Sequence, residues 1–220
     1  MAVAFTLLFV VLIIPLIIFL LIYQNKKEKQ RTQALAVKAG QLGWNFSAEA
    51  PMNMIPGLER FPLFNQGHAK QIKNFMYGEA SGVKAAVFDY RYTVGSGKNS
   101  HTHFQSVVYF EPANLNVPFF SLRPENFIYK MLSAFGYQDI DFGQRPEFSR
   151  HYLLRGQDEM SIRQAFNDRV LGFYESYSGT CTDAGGNQLF FFRSDQRLQP
   201  PDIEGYVGVG LQLLALLPSY

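Results

Sequence analysis

Between residues 68 and 124 apolar and polar positions alternate or cluster in the runs "QIKNFMYGEA", "VKAAVFDYRYTV", "HTHFQSVVYFE" and "PFFSLRPE". These runs are rich in β-branched and aromatic residues and are punctuated by glycine or proline, the pattern of strands joined by turns. Consecutive strands with short connections pair antiparallel. In "RPENFIYKMLSAFG" the period lengthens: Phe127, Ile128, Met131 and Phe135 recur at helical spacing between a leading proline and a closing glycine, predicting a short amphipathic helix. "QDIDF" and "EFSRHYLLRG" read as two more strands. "DEMSIRQAFNDRVLGFYESY" predicts one helix capped by Asp158, with Ile162, Phe166, Val170, Phe173 and Tyr177 as its core stripe. "GTCTDAGGNQLFFFRS" predicts a hairpin turning at "AGGN". "PPDIEGYVGVGLQLLALLP" predicts a helix laid on the sheet, where Gly208 and Gly210 allow close approach; its uncharged stretch falls short of the ~17 residues a membrane span needs.

The N-terminal segment has a different pattern, an uncharged run from Ala2 to Tyr23. As a helix it is about 33 Å long, against a bilayer core of ~30 Å. Pro15 is tolerable there as a kink. The run is too long for a signal peptide, and no lysine or arginine precedes it. The expectation is a single-pass membrane anchor, N-out and C-in, because the cations Lys26, Lys27, Lys29 and Arg31 follow the span. The lipid bilayer (residues 2–23) and anionic headgroups (that basic cluster) are the expected partners. The expected fold is α+β, a mainly antiparallel sheet with helices packed on one face. Its expected divisions are an anchor at 2–23, a juxtamembrane helix and Pro-rich linker at 24–57, and a cytoplasmic domain at 58–220.

Charge and cysteine content narrow the chemistry. The formal net charge is +2 and there is no basic block beyond the juxtamembrane one, so no nucleic-acid partner is expected. One cysteine, Cys181, allows no internal disulfide and reads as a small core residue. No G-x-S-x-G, H-E-x-x-H or C-x-x-C motif occurs. "VGSGKNS" is not a phosphate loop, because Tyr92 stands where the first glycine belongs, Asn99 follows Lys98, and a strand follows instead of a helix.

"GSGKNS" is instead the tip of a hairpin. Pairing Gly95 with His101 sets Phe88, Tyr90 and Tyr92 against Val108, Ser106 and Phe104, and gathers Asp89, Arg91, His103 and Gln105 on the other face. A one-residue slip would set polar side chains against the aromatic row. Asp89, Arg91, His101 and His103 are therefore the ligand-site candidates, weighed against a solvated face carrying a cross-strand ion pair. His101 and His103, two apart on one strand face, are too few for zinc without further ligands. Asp139 and Asp141 share a face of "QDIDF" and read as a charged sheet edge. No catalytic residue, cofactor or metal is assigned.

The segments "FDYRYT" and "EFSRHYLLRGQDE", between an N-terminal anchor and a final apolar "LLALLP" helix, resemble a broad family of uncharacterised bacterial membrane-anchored proteins, grouped as a domain of unknown function. The resemblance implies an anchored α+β domain at the bacterial inner membrane and no activity. The expected function is a non-enzymatic interaction or scaffold domain; the alternative is a small-ligand or metal-binding protein or enzyme using the polar face of the 87–111 hairpin.

Overall fold

The structure, a computed structural model, describes residues 2–125 and 139–218, with side chains from Ile13 onward in the N-terminal helix. Helix α1 runs unbroken over Ala2–Gln41 and ends at Gly43, whose φ of 69° stops the helix. Strands β1 (Asn45–Ala50), β2 (His68–Ala80), β3 (Val83–Val94), β4 (His101–Glu111), β5 (Val117–Pro124), β6 (Tyr152–Gly156), β7 (Cys181–Gly186) and β8 (Gln188–Phe192) form one antiparallel sheet in the order β1-β2-β3-β4-β8-β7-β5-β6. The fold is α+β, as the periodicity predicts. Ser81 and Gly82, both at positive φ, turn β2 into β3, matching the twist of the paired strands.

Alternation sends side chains to two separate cores. On one face Ala85, Val87, Val108 and Phe110 pack with Leu35 and Ala39 of α1 and with residues of α3 (Pro146–His151), α4 (Glu159–Ala165), α5 (Asp168–Ser176) and α6 (Ile203–Leu216). Gly210 permits that packing: a Cβ there would lie 2.5 Å from the Phe110 ring, whereas one at Gly208 would meet nothing within 4 Å. The other face carries Phe75, Phe88, Tyr90, Tyr92, Phe190 and Phe192, covered by residues 52–65 with the short helix α2 (Pro62–Asn65). Phe64 meets Tyr90 and Phe190 edge-on at 4.9 Å. Each such buried ring contributes about 1.5–3 kcal/mol.

Several expectations are corrected. Among the described residues no helix is long and apolar enough to cross a membrane, which overturns the single-pass inner-membrane localisation. The described side chains of α1 begin at Ile13, and the apolar stretch among them gives way at Gln24-Asn25-Lys26-Lys27 to a polar helix that continues into the sheet domain. "PEFSRH" is helix α3, started by Pro146 at its first turn, not a strand. Residues 139–142 form no strand. The helix expected from Asp158 to Tyr177 is broken at Asn167, whose side chain accepts from the N–H of Arg169 and Val170 and so caps α5; Asp158 caps α4 through Ser161 N–H. The helix expected over 123–136 lies largely outside the described residues.

Candidate functional site

The hairpin that carries the four candidates pairs one residue away from the expected register: Val94, not Gly95, stands opposite His101. Gly95, at φ 77°, lies in the loop, where a Cβ would come within 2.4 Å of the Asn99 carbonyl oxygen. Phe88, Tyr90 and Tyr92 consequently face Val107, Gln105 and His103, while Asp89 and Arg91 face Ser106 and Phe104. The polar residues that argued against this register find partners in the segment after β8. His103 Nδ1 lies 2.8 Å from Asp195 Oδ1, and the Asp195 N–H donates to Gln105 Oε1 at 3.4 Å. His103 also stacks on Tyr92, centroids 4.8 Å apart. The slip thus splits the candidates between opposite faces.

On the face toward α1, Asp89 is fully engaged. Arg31 donates through Nε to Oδ2 and through Nη2 to Oδ1, each at 2.9 Å. Ser106 Oγ donates to Oδ1 at 2.6 Å and Asn74 Nδ2 to Oδ2 at 2.9 Å. Asn74 reaches it from a bulge in β2, where its φ is 51°. The Asp89 and Arg31 side chains are each 11% exposed. Arg31, grouped by sequence with the headgroup cations, is turned into the protein. A second fork follows one turn earlier, where Arg197 donates to both Glu28 oxygens at 2.7 and 2.8 Å. That hydrogen bond holds the Glu28 carboxyl below its usual range against a smaller effect of burial. Asp89 is therefore a clasp for α1. Arg91 stays outside it, donating to Gln71 at 3.4 Å over the Phe104 ring.

On the other face His101, His103 and Asp195 converge, one donor atom from each lying within 4.8 Å of the others. His103 is buried; His101 and Asp195 are exposed. Asp195 has a φ of 56°, a conformation that aspartate tolerates better than most residues. Its position in "RSDQR" is a turn signal, but nothing local ties that turn to a histidine on β4.

A cleft of about 500 Å³ opens beside the Asp89 clasp, lined by Ser106, Arg193, Arg197, Leu198, Tyr206 and Val209 among others. Arg193 and Tyr206 both contribute to its lining, and their Nε and Oη atoms are buried without a hydrogen-bond partner. Burial, partly offset by Arg193, raises the Tyr206 pKa.

The remaining sequence candidates are dispersed. Asp139 accepts from Leu154 N–H at 3.0 Å on the far edge strand β6, and burial, then Asp141, pushes its pKa up to about 6. Cys181 is buried in the second core and burial raises its thiol pKa, as suits an inert residue. Sequence gives no sign of the buried pair Arg123 and Asp183, 2.7 Å apart, whose carboxylate also accepts from Leu63 N–H and so pins α2 to the sheet.

No protein-family model and no curated protein matches this chain. A solved structure is similar in fold: the crystal structure of the mycobacterial trehalose monomycolate transport factor A, TtfA, superposes with a TM-score of 0.56 at 14% identity, covering 86% of this chain and 97% of that one.

Proposed function

We propose that the chain is a non-enzymatic interaction domain that displays the N-terminal part of α1 to a protein partner. The observation that carries this reading is the contrast along one helix. From Ile14 to Tyr23 the large hydrophobics Ile14, Leu16, Ile17, Ile18, Phe19, Leu20, Leu21, Ile22 and Tyr23 are 46–63% exposed, whereas Arg31, Leu35 and Ala39 lock the same helix to the sheet. A surface so apolar on a folded chain marks an interaction site. The buried clasp fixes its direction. The mycobacterial neighbour is described as a transport factor, and an accessory role is compatible with this reading without carrying it.

The test is photocrosslinking from Phe19 and Ile22 in cells, followed by direct binding of the captured protein to purified chain. We expect one reproducible protein partner whose binding is lost in an I18E/I22E variant. Recovery with lipid vesicles alone, or capture unaffected by the variant, overturns the reading.

A second reading rests on the cleft beside Ser106, on the polar face of the hairpin. A small anionic ligand with an apolar body would satisfy Arg193 Nε and Tyr206 Oη while lying on Leu198 and Val209. Screening carboxylate and phosphate compounds by thermal shift checks it: stabilisation of the parent chain that is lost in Y206F supports the reading, and no hit excludes it.

A further inference from the structure

We propose that His101, His103 and Asp195 form a binding site for one divalent transition-metal ion, on the face of the sheet opposite the α1 clasp. Two imidazoles and a carboxylate are a donor set suited to Zn²⁺ and to its neighbours in the transition series, and poorly suited to Mg²⁺ or Ca²⁺, which prefer oxygen alone. The spacing of the donors is the first argument. Their atoms lie within 4.8 Å of one another, and a tetrahedral zinc with bonds of about 2.0–2.1 Å needs them roughly 3.3 Å apart.

The closure required falls on the groups free to move. His103 is 1% exposed, stacked on Tyr92 and fixed at its place on β4. His101 stands at the exposed first position of the same strand, its ring 4.6 Å from that of His103. Asp195 sits on an exposed turn, and its carboxylate already lies 2.8 Å from His103. One rigid ligand and two adjustable ones give a site that assembles around the ion.

The backbone at Asp195 is the second argument. A non-glycine residue at φ 56° bears a conformational cost, and here it brings the only carboxylate of the cluster toward the two imidazoles. On binding, the hydrogen bond between His103 and Asp195 gives way to one bond from each to the cation, His103 ligating as the neutral imidazole with its N–H on the ring nitrogen away from the metal. Three protein ligands leave a fourth position for water. The ion ties the start of β4 to the segment after β8.

The experiment uses the full chain, stripped with chelator and titrated with Zn²⁺ by calorimetry, with Co²⁺ absorption as the readout of coordination. We expect one ion per chain, visible bands typical of four-coordinate Co²⁺, and a higher melting temperature with Zn²⁺. H101A and D195N should each weaken Zn²⁺ binding at least tenfold and abolish the thermal shift. His101 is exposed, and the side-chain amide introduced by D195N can still accept from His103, so both variants should fold with the parent circular dichroism spectrum. Absence of stoichiometric Zn²⁺ binding, or binding by H101A and D195N equal to the parent chain, overturns the proposal.

Discussion

Asp89 shows how one side chain changes meaning between sequence and structure. In "FDYRYT" it reads as a ligand-site candidate or as half of a cross-strand ion pair on a solvated face, and the structure gives it Arg31 as partner. Because the pair is nearly buried, removing one member strands the other charge. D89A should therefore cost about 3–5 kcal/mol in urea unfolding. E28A breaks a pair whose members are 32% and 53% exposed and should cost no more than about 1 kcal/mol. Asp139 offers a pH test. Its folded pKa of about 6 lies above the ordinary carboxylate value of 3.8, so the folded state takes up the proton first. Its contribution to stability is full below pH 3.8 and is lost as pH rises through 6. NMR titration should show that midpoint, and D141N should lower it by removing a like charge.

At the scale of elements, the strands from 68 to 124 were legible because a two-residue period and turn glycines are local signals. The hairpin register was not. Burial of the aromatic row argued for facing it with Val108, Ser106 and Phe104, and the structure faces it with Val107, Gln105 and His103. The cost of burying those polar groups is met by Asp195, distant in sequence and invisible to any local pattern. The break at Asn167 is hidden in the sequence for a related reason: the apolar stripe runs through it, while the cap depends on one side-chain oxygen. N167A should cost about 1 kcal/mol. The paired glycines of α6 separate in the same way. G210A, pressed on Phe110, should destabilise by about 1–3 kcal/mol, and G208A should be neutral or slightly stabilising.

For the whole molecule, α1 has two unlike halves. Among its described side chains, those that bond to or pack on the rest of the chain begin at Glu28, paired with Arg197 in the segment after β8, so a chain lacking residues 1–23 should keep the parent melting temperature by circular dichroism. A chain lacking residues 1–43 loses Leu35, Ala39 and Arg31 together, leaves Asp89 buried without its cation, and should melt lower or fail to fold.

Sequence alone determined what depends on neighbours along the chain: the strands from 68 to 124, the helical character of 159–176, the apolar helix at 203–216, the capping by Asp158 and the α+β class. It also marked His101 and His103 as a pair short of ligands. Tertiary structure decided what depends on distant partners. It set Asp89 beneath Arg31, carried Asp195 to the histidines, and laid residues 52–65 over the second aromatic face. The physical reason is the same in each case. Buried polar groups are placed by whichever partner can satisfy them, and in this chain those partners come from elements far apart in sequence.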